Sequence, residues 1–70
     1  MSEPEIQDAI DILHNGGAVT VKADGPFEIR SKLSFTVAWY AIFRDGKMVR
    51  NYFRLTDSAL YDWLAHLETA

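Results

Sequence analysis

Apolar positions along this chain follow two rhythms, a helical one at each end and an alternating one between. Ile6, Ala9, Ile10 and Leu13 fall at i, i+3, i+4, i+7, the spacing of one helical stripe, with Glu3, Asp8 and Asp11 off it. Ser2 and Glu5 make the S-x-x-E pattern of a capping box, and Pro4 sits in the first turn, where its missing N–H does no harm. "HNGG" then stops the helix, with Asn15 or Gly16 suited to the left-handed position just past its end. The spacing predicts a helix over about 3–14. Leu60, Trp63, Leu64 and Leu67 repeat the stripe behind a Thr56 or Asp57 cap, which predicts a second helix over about 57–68. Asp57 also suits the positive end of that helix dipole.

Between the helices the period is two. Val19, Val21 and Ala23 alternate with Ala18, Thr20 and Lys22, a half-buried strand over about 18–23, and "DGP" at 24–26 is a turn. From Phe27 to Phe43 every odd position except Ser31 is apolar. That run is much longer than the usual strand of about 5–6 residues. It is therefore one long bent strand or two strands broken near 31–34, followed by a last strand over about 47–55. The expected fold is a single α+β domain over 1–70, α-β-β-β-α or α-β-β-β-β-α. An antiparallel three- or four-stranded meander carries both helices on one face, as a two-layer sandwich with the other face open.

Which side faces the helices depends on the hairpin in "SFTVAWYAIFRDGKMVRNYFRL". A two-residue turn at Asp45-Gly46 places Trp39 opposite Tyr52 and Ala41 opposite Arg50, and leaves neither face clearly wet or dry. A three-residue loop with Gly46 in a bulge pairs Ala41 with Val49, Val37 with Phe53 and Phe35 with Leu55. One face then holds Phe35, Val37, Trp39, Ala41, Phe43, Val49, Phe53 and Leu55. A slip of one residue moves every side chain across the sheet, so burial selects the bulged register. It leaves Tyr40, Arg50, Tyr52 and Arg54 on the open face, joined by Arg30, Lys32 and Lys22.

Charge sharpens this picture. The net charge is −3, yet all seven cations lie between Lys22 and Arg54, while the acids concentrate in the end segments. An open basic and aromatic sheet face with acidic helices behind it follows. There are no cysteines, so disulfides and thiolate metal sites are excluded and packing must hold the fold. No apolar run approaches the roughly 20 residues of a membrane span, and the acidic start is unlike a signal peptide, so the expectation is a soluble cytoplasmic protein. Asp11/His14 and Asp62/His66 have helical spacing, but two ligands without further His or Cys do not make a zinc site. The glycine pairs are turn chemistry, no serine has a recognisable base, and Trp39 and Trp63 fall on apolar stripes. No catalytic residue, cofactor, metal or small-molecule substrate is expected.

The element order resembles the double-stranded-RNA-binding domain, but the start of its second helix, lysine-rich in that family, reads "LTDSALYDW" here. The RNA-contacting residues of that family therefore do not carry over. The open sheet also resembles the three-stranded DNA-binding domains of some phage and transposon integrases. Size, acidic balance and layout look like small phage- or plasmid-encoded accessory proteins, anti-CRISPR inhibitors among them. The reading that follows is a non-enzymatic protein that binds another protein, as inhibitor or accessory factor, through Tyr40, Arg50, Tyr52, Arg54, Lys22, Arg30 and Lys32. Tyr and Arg suit interface hot spots. The same face could pair two copies as a homodimer. The alternative is nucleic-acid binding through it, by base stacking and phosphate contacts, and the third is DNA mimicry by the acidic helices.

Overall fold

A computed structural model describes residues 2–22 and 26–67; Ala23, Asp24, Gly25 and Glu68, on which a strand end, a turn and a helix end were expected, lie outside the described residues. The order is α1 (Glu3–His14), β1 (Ala18–Val21), β2 (Phe27–Ser34), β3 (Val37–Arg44), β4 (Lys47–Phe53) and α2 (Asp57–His66). The strands form one antiparallel meander, β1-β2-β3-β4. The chain is thus a small α+β fold of the order α-β-β-β-β-α. Its extents of 33 × 27 × 16 Å have a short axis one helix layer and one sheet layer deep.

Both helix ends form as the residue types dictate. The Ser2 N–H and hydroxyl both donate to the Glu5 carboxylate, at 3.3 and 2.7 Å. At the other end Gly16, at φ +79°, takes the left-handed position. Its N–H donates to the Leu13 carbonyl at 3.2 Å and that of Gly17 to Ile12 at 2.9 Å, a Schellman motif. Thr56 caps α2 by accepting from the Ala59 N–H at 3.2 Å.

Ser31, the polar exception in the alternating run, is buried. Its N–H and its hydroxyl both donate to the Gly17 carbonyl, at 3.1 and 2.8 Å, which ties the loop after α1 to β2. A buried hydroxyl is tolerated because that bond satisfies it.

The long alternating run breaks at Phe35-Thr36, just beyond the expected window of 31–34. Ser34 pairs directly with Val37 across a two-residue loop, so these two share a face and the parity of the alternation inverts. Odd positions face the helices in β2, whereas even positions do so in β3: Ile29 pairs with Ile42 and Ser31 with Tyr40. The second hairpin also differs from the expected bulged loop. Asp45 and Gly46 have φ of +53° and +77°, and Arg44 pairs with Lys47, so this is a two-residue turn of the type that Asp-Gly favours. The extra residues are inserted further along β4, where the register shifts twice between Phe43 and Tyr40 and brings Tyr40 opposite Phe53. Within that irregular stretch the Asn51 side-chain carbonyl accepts the Tyr52 N–H at 2.8 Å.

The core lies between α1, α2 and the sheet. Ile6, Ala9 and Leu13 of α1, Leu60 and Leu64 of α2, and Val21, Ile29 and Tyr40 of the sheet form one buried cluster. α1 crosses β1, β2 and β3, and α2 lies against α1. Aromatic rings bridge α2 to the sheet: Phe53 meets Trp63 edge-on at 5.8 Å between centroids and Tyr40 at 6.4 Å. Two polar links join the antiparallel helices. Tyr61 donates its hydroxyl to Glu3, and His14 Nε2 lies 3.5 Å from the Asp57 carboxylate. Among the described residues no helix is long and apolar enough to cross a membrane.

Candidate functional site

The inverted parity of β3 rebuilds the open face. Tyr40, expected there, is only 2% exposed and sits in the core. Burial and the nearby Asp57 carboxylate push its hydroxyl above the ordinary tyrosine value. Arg50 pairs with Ile42, which places it on the helix side, and its guanidinium lies 4.1 Å over the Phe53 ring. Val49, expected in the dry layer, is exposed on the irregular edge strand. Phe35, also expected inside, is wholly exposed in the β2–β3 turn. Lys22 is exposed just past the end of β1.

Arg30, Lys32, Tyr52 and Arg54 are brought together on the open face. Trp39 and Phe43, assigned to the core by parity, join them there. Lys32 pairs with Trp39, Arg30 with Ala41 and Glu28 with Phe43. Each ring carries a cation. The Arg30 guanidinium lies 4.0 Å over Phe43 and the Lys32 ammonium 4.3 Å over Tyr52, reaching across β3. The Arg54 guanidinium lies 5.7 Å over Trp39. Arg30 also bonds the Glu28 carboxylate. Pairs of this kind contribute about 0.5–1 kcal/mol each at exposed sites and hold the long basic side chains along the sheet. Between Lys32, Trp39 and Tyr52 they leave a depression of about 430 Å³.

Trp39 and Phe43 were missed because a continuous run of odd apolar positions reads as one face. The signal that finds them is the turn chemistry. Asp45-Gly46 is the strongest short hairpin cue, and its two-residue register already puts Arg54 and Trp39 on one side.

His14 turns to Asp57 on the other helix, and His66 Nδ1 lies 2.7 Å from the Asp62 backbone carbonyl. Among the described residues no three His, Asp or Glu side chains gather as a metal site.

The arrangement defines the chain as a two-layer α+β domain with one helix-covered sheet face and one open cation–aromatic face. No family model matches it, and neither does any curated protein or solved structure.

Proposed function

We propose that this is a small non-enzymatic protein that acts in the cytoplasm by binding another protein, as an inhibitor or accessory factor, through its open sheet face. One observation carries the reading: three rings, Trp39, Phe43 and Tyr52, stand on a sheet face that neither helix covers, each capped by a cation. A ring and its cation together present a wide, preordered, amphipathic contact, the composition of interface hot spots. Arg30, Lys32 and Arg54 outnumber Glu28, so an acidic protein surface is the complementary partner.

Nucleic-acid binding by the same face is the competing reading, favoured by that positive balance. Three cations bound the salt dependence: the slope of log K against log salt would not exceed about −2.7 on double-stranded DNA. DNA mimicry is weaker, because Glu3, Glu5 and Asp57 are turned to Tyr61, Ser2 and His14 within the fold.

The test is capture of partners from the native host by wild-type and Trp39→Ala protein, with and without nuclease, followed by titration of the recovered partner. A nuclease-resistant protein partner, bound at least about 2 kcal/mol more weakly by Trp39→Ala, is expected. A partner that vanishes with nuclease, or one indifferent to Trp39→Ala and Tyr52→Ala alike, overturns the reading.

A further inference from the structure

Phe35 is the most exposed large apolar side chain described, at 101% of its reference area. It also occupies the first position of the two-residue β2–β3 loop at φ +59°, a left-handed conformation unfavourable for a bulky residue and normally left to glycine. A strained, fully solvated phenyl ring at a hairpin tip gives the isolated fold nothing. Such outliers persist where function requires them.

Directly beside that tip, where the end of the sheet meets His14 at the close of α1 and Asp57 at the start of α2, lies a crevice of about 510 Å³. Its apolar lining comes from Leu33, Val37, Ala38 and Leu55, with Tyr40 beneath. Leu33 is itself half exposed there. Arg54 and Asp57, of opposite charge, both border it. Tyr40 makes no hydrogen bond through its hydroxyl among the described residues, and its ring continues through Phe53 to Trp63. A further ring placed here would extend that aromatic cluster.

We infer that the occupant is Phe35 of a second copy. Knob and hole adjoin on one end of the molecule, so a two-fold axis close to the hairpin tip lets each copy fill the other at once, an isologous exchange. The same axis can bring Arg54 of one copy towards Asp57 of the other, so the rim is charge-matched to itself. Two aromatic side chains and their surroundings bury an area at the small end for specific interfaces, so the dimer is weak and concentration-dependent. Of the open face the contact engages Arg54 alone, leaving Phe43 and Tyr52 with their cations Arg30 and Lys32 free, and it does not depend on their use.

Sedimentation velocity on the full chain, from about 20 µM to about 1 mM, covers the affinity range of so small an interface. The wild type is expected to shift from monomer to dimer mass across it. Phe35→Gly, compatible with φ +59°, should remain monomeric throughout and stay folded. Ala38→Phe, which plugs the crevice and keeps Phe35, should also lose the dimer. In a mixed isotope-labelled sample, intermolecular NOEs should connect the Phe35 ring to the Ala38 methyl. A wild type monomeric to the highest concentration overturns the proposal. So does a dimer that survives Phe35→Gly or lacks that NOE.

Discussion

Replacing Tyr40 tests the face assignment on which the functional reading rests. The side chain is 2% exposed and packs with Ile6, Leu13, Ile29, Leu60 and Leu64 in the core cluster. Truncation to alanine removes a whole ring from between the sheet and the helices. Large-to-small aromatic changes in cores cost about 3–5 kcal/mol, the transfer of the lost atoms plus the cavity left behind. A chain of this length has a total stability of only about 3.5–10 kcal/mol, so Tyr40→Ala should be marginal or unfolded at 25 °C. Tyr40→Phe isolates the hydroxyl. It makes no hydrogen bond among the described residues, so its removal should change stability by less than about 0.5 kcal/mol. Urea denaturation followed by tryptophan fluorescence and far-UV circular dichroism measures both, with Tyr40→Leu as an intermediate step. Had the odd positions of β3 faced the helices, Tyr40 would be a surface residue and its truncation would cost little. A Tyr40→Ala loss below about 1 kcal/mol would therefore refute the inverted parity of β3.

Other substitutions test other joints of the fold. Gly17→Ala places a methyl 2.7 Å from Ile12 Cγ2 and 3.0 Å from the Ile12 carbonyl, and should cost about 1–3 kcal/mol in the same urea assay; a neutral result would mean the Schellman turn is looser than described. Phe35→Gly relieves a left-handed residue at about 1–2 kcal/mol against the backbone entropy that glycine loses, so the monomer should gain about 0.5–1 kcal/mol; destabilisation would show that Phe35 contributes to the folded monomer. The hydrogen bond to Glu3 holds the Tyr61 hydroxyl above its ordinary value of 10.0, as burial does for Tyr40. The unfolded chain then ionises first, so their stabilisation is complete below pH 10 and drains away as pH rises through the raised folded values. The urea midpoint should fall above pH 10, less steeply in Tyr61→Phe, and a midpoint flat to pH 11 would contradict this. The Ser2 hydroxyl and N–H hold the Glu5 carboxyl below its ordinary 4.5, so that contribution is present above pH 4.5 and lost as pH falls through the lowered value; Glu5→Gln should blunt the acid limb.

The elements whose causes are local were legible in the sequence. Both helix stripes, the Ser2–Glu5 start, the glycine stop after His14 and the Thr56 cap depend on neighbours within a few residues, and they form where the residue types place them. Sheet facing is different, because it accumulates every insertion along the strands. Phe35-Thr36 carries no glycine, asparagine or proline to announce a turn, so the alternation from Phe27 to Phe43 reads as unbroken. The two-residue loop there inverts the parity of β3 and exchanges Tyr40 with Trp39 and Phe43. Four of the seven candidate contact residues survive on the open face because Arg30 and Lys32 precede that loop, while Tyr52 and Arg54 follow the register shifts in β4 that restore their side.

The confusion between the two faces has a physical source in the size of the domain. With a short axis of 16 Å the sheet has only one layer to hide behind, and the second face must be apolar enough to pack its own side chains yet polar enough to meet water. Laying Arg30, Lys32 and Arg54 along Phe43, Tyr52 and Trp39 meets both demands, since the stems and guanidinium planes shield ring surface while the charges stay in water. On β3 and β4 the apolar residues therefore divide almost evenly between the two faces, and counting there does not separate them. Cations can. On the helix side of the sheet the only described ring–cation pair is Arg50 over Phe53, on the outermost strand, where the guanidinium still reaches solvent. A face carrying three such pairs, one of them on central β3 paired with β2, has to be the open one. Removing the cations should thus expose a sticky aromatic sheet: the triple change Arg30→Ala, Lys32→Ala and Arg54→Ala is expected to leave the helical circular dichroism intact while promoting aggregation at concentrations the wild type tolerates. Unchanged solubility in that variant would mean the rings are shielded by something other than their cations.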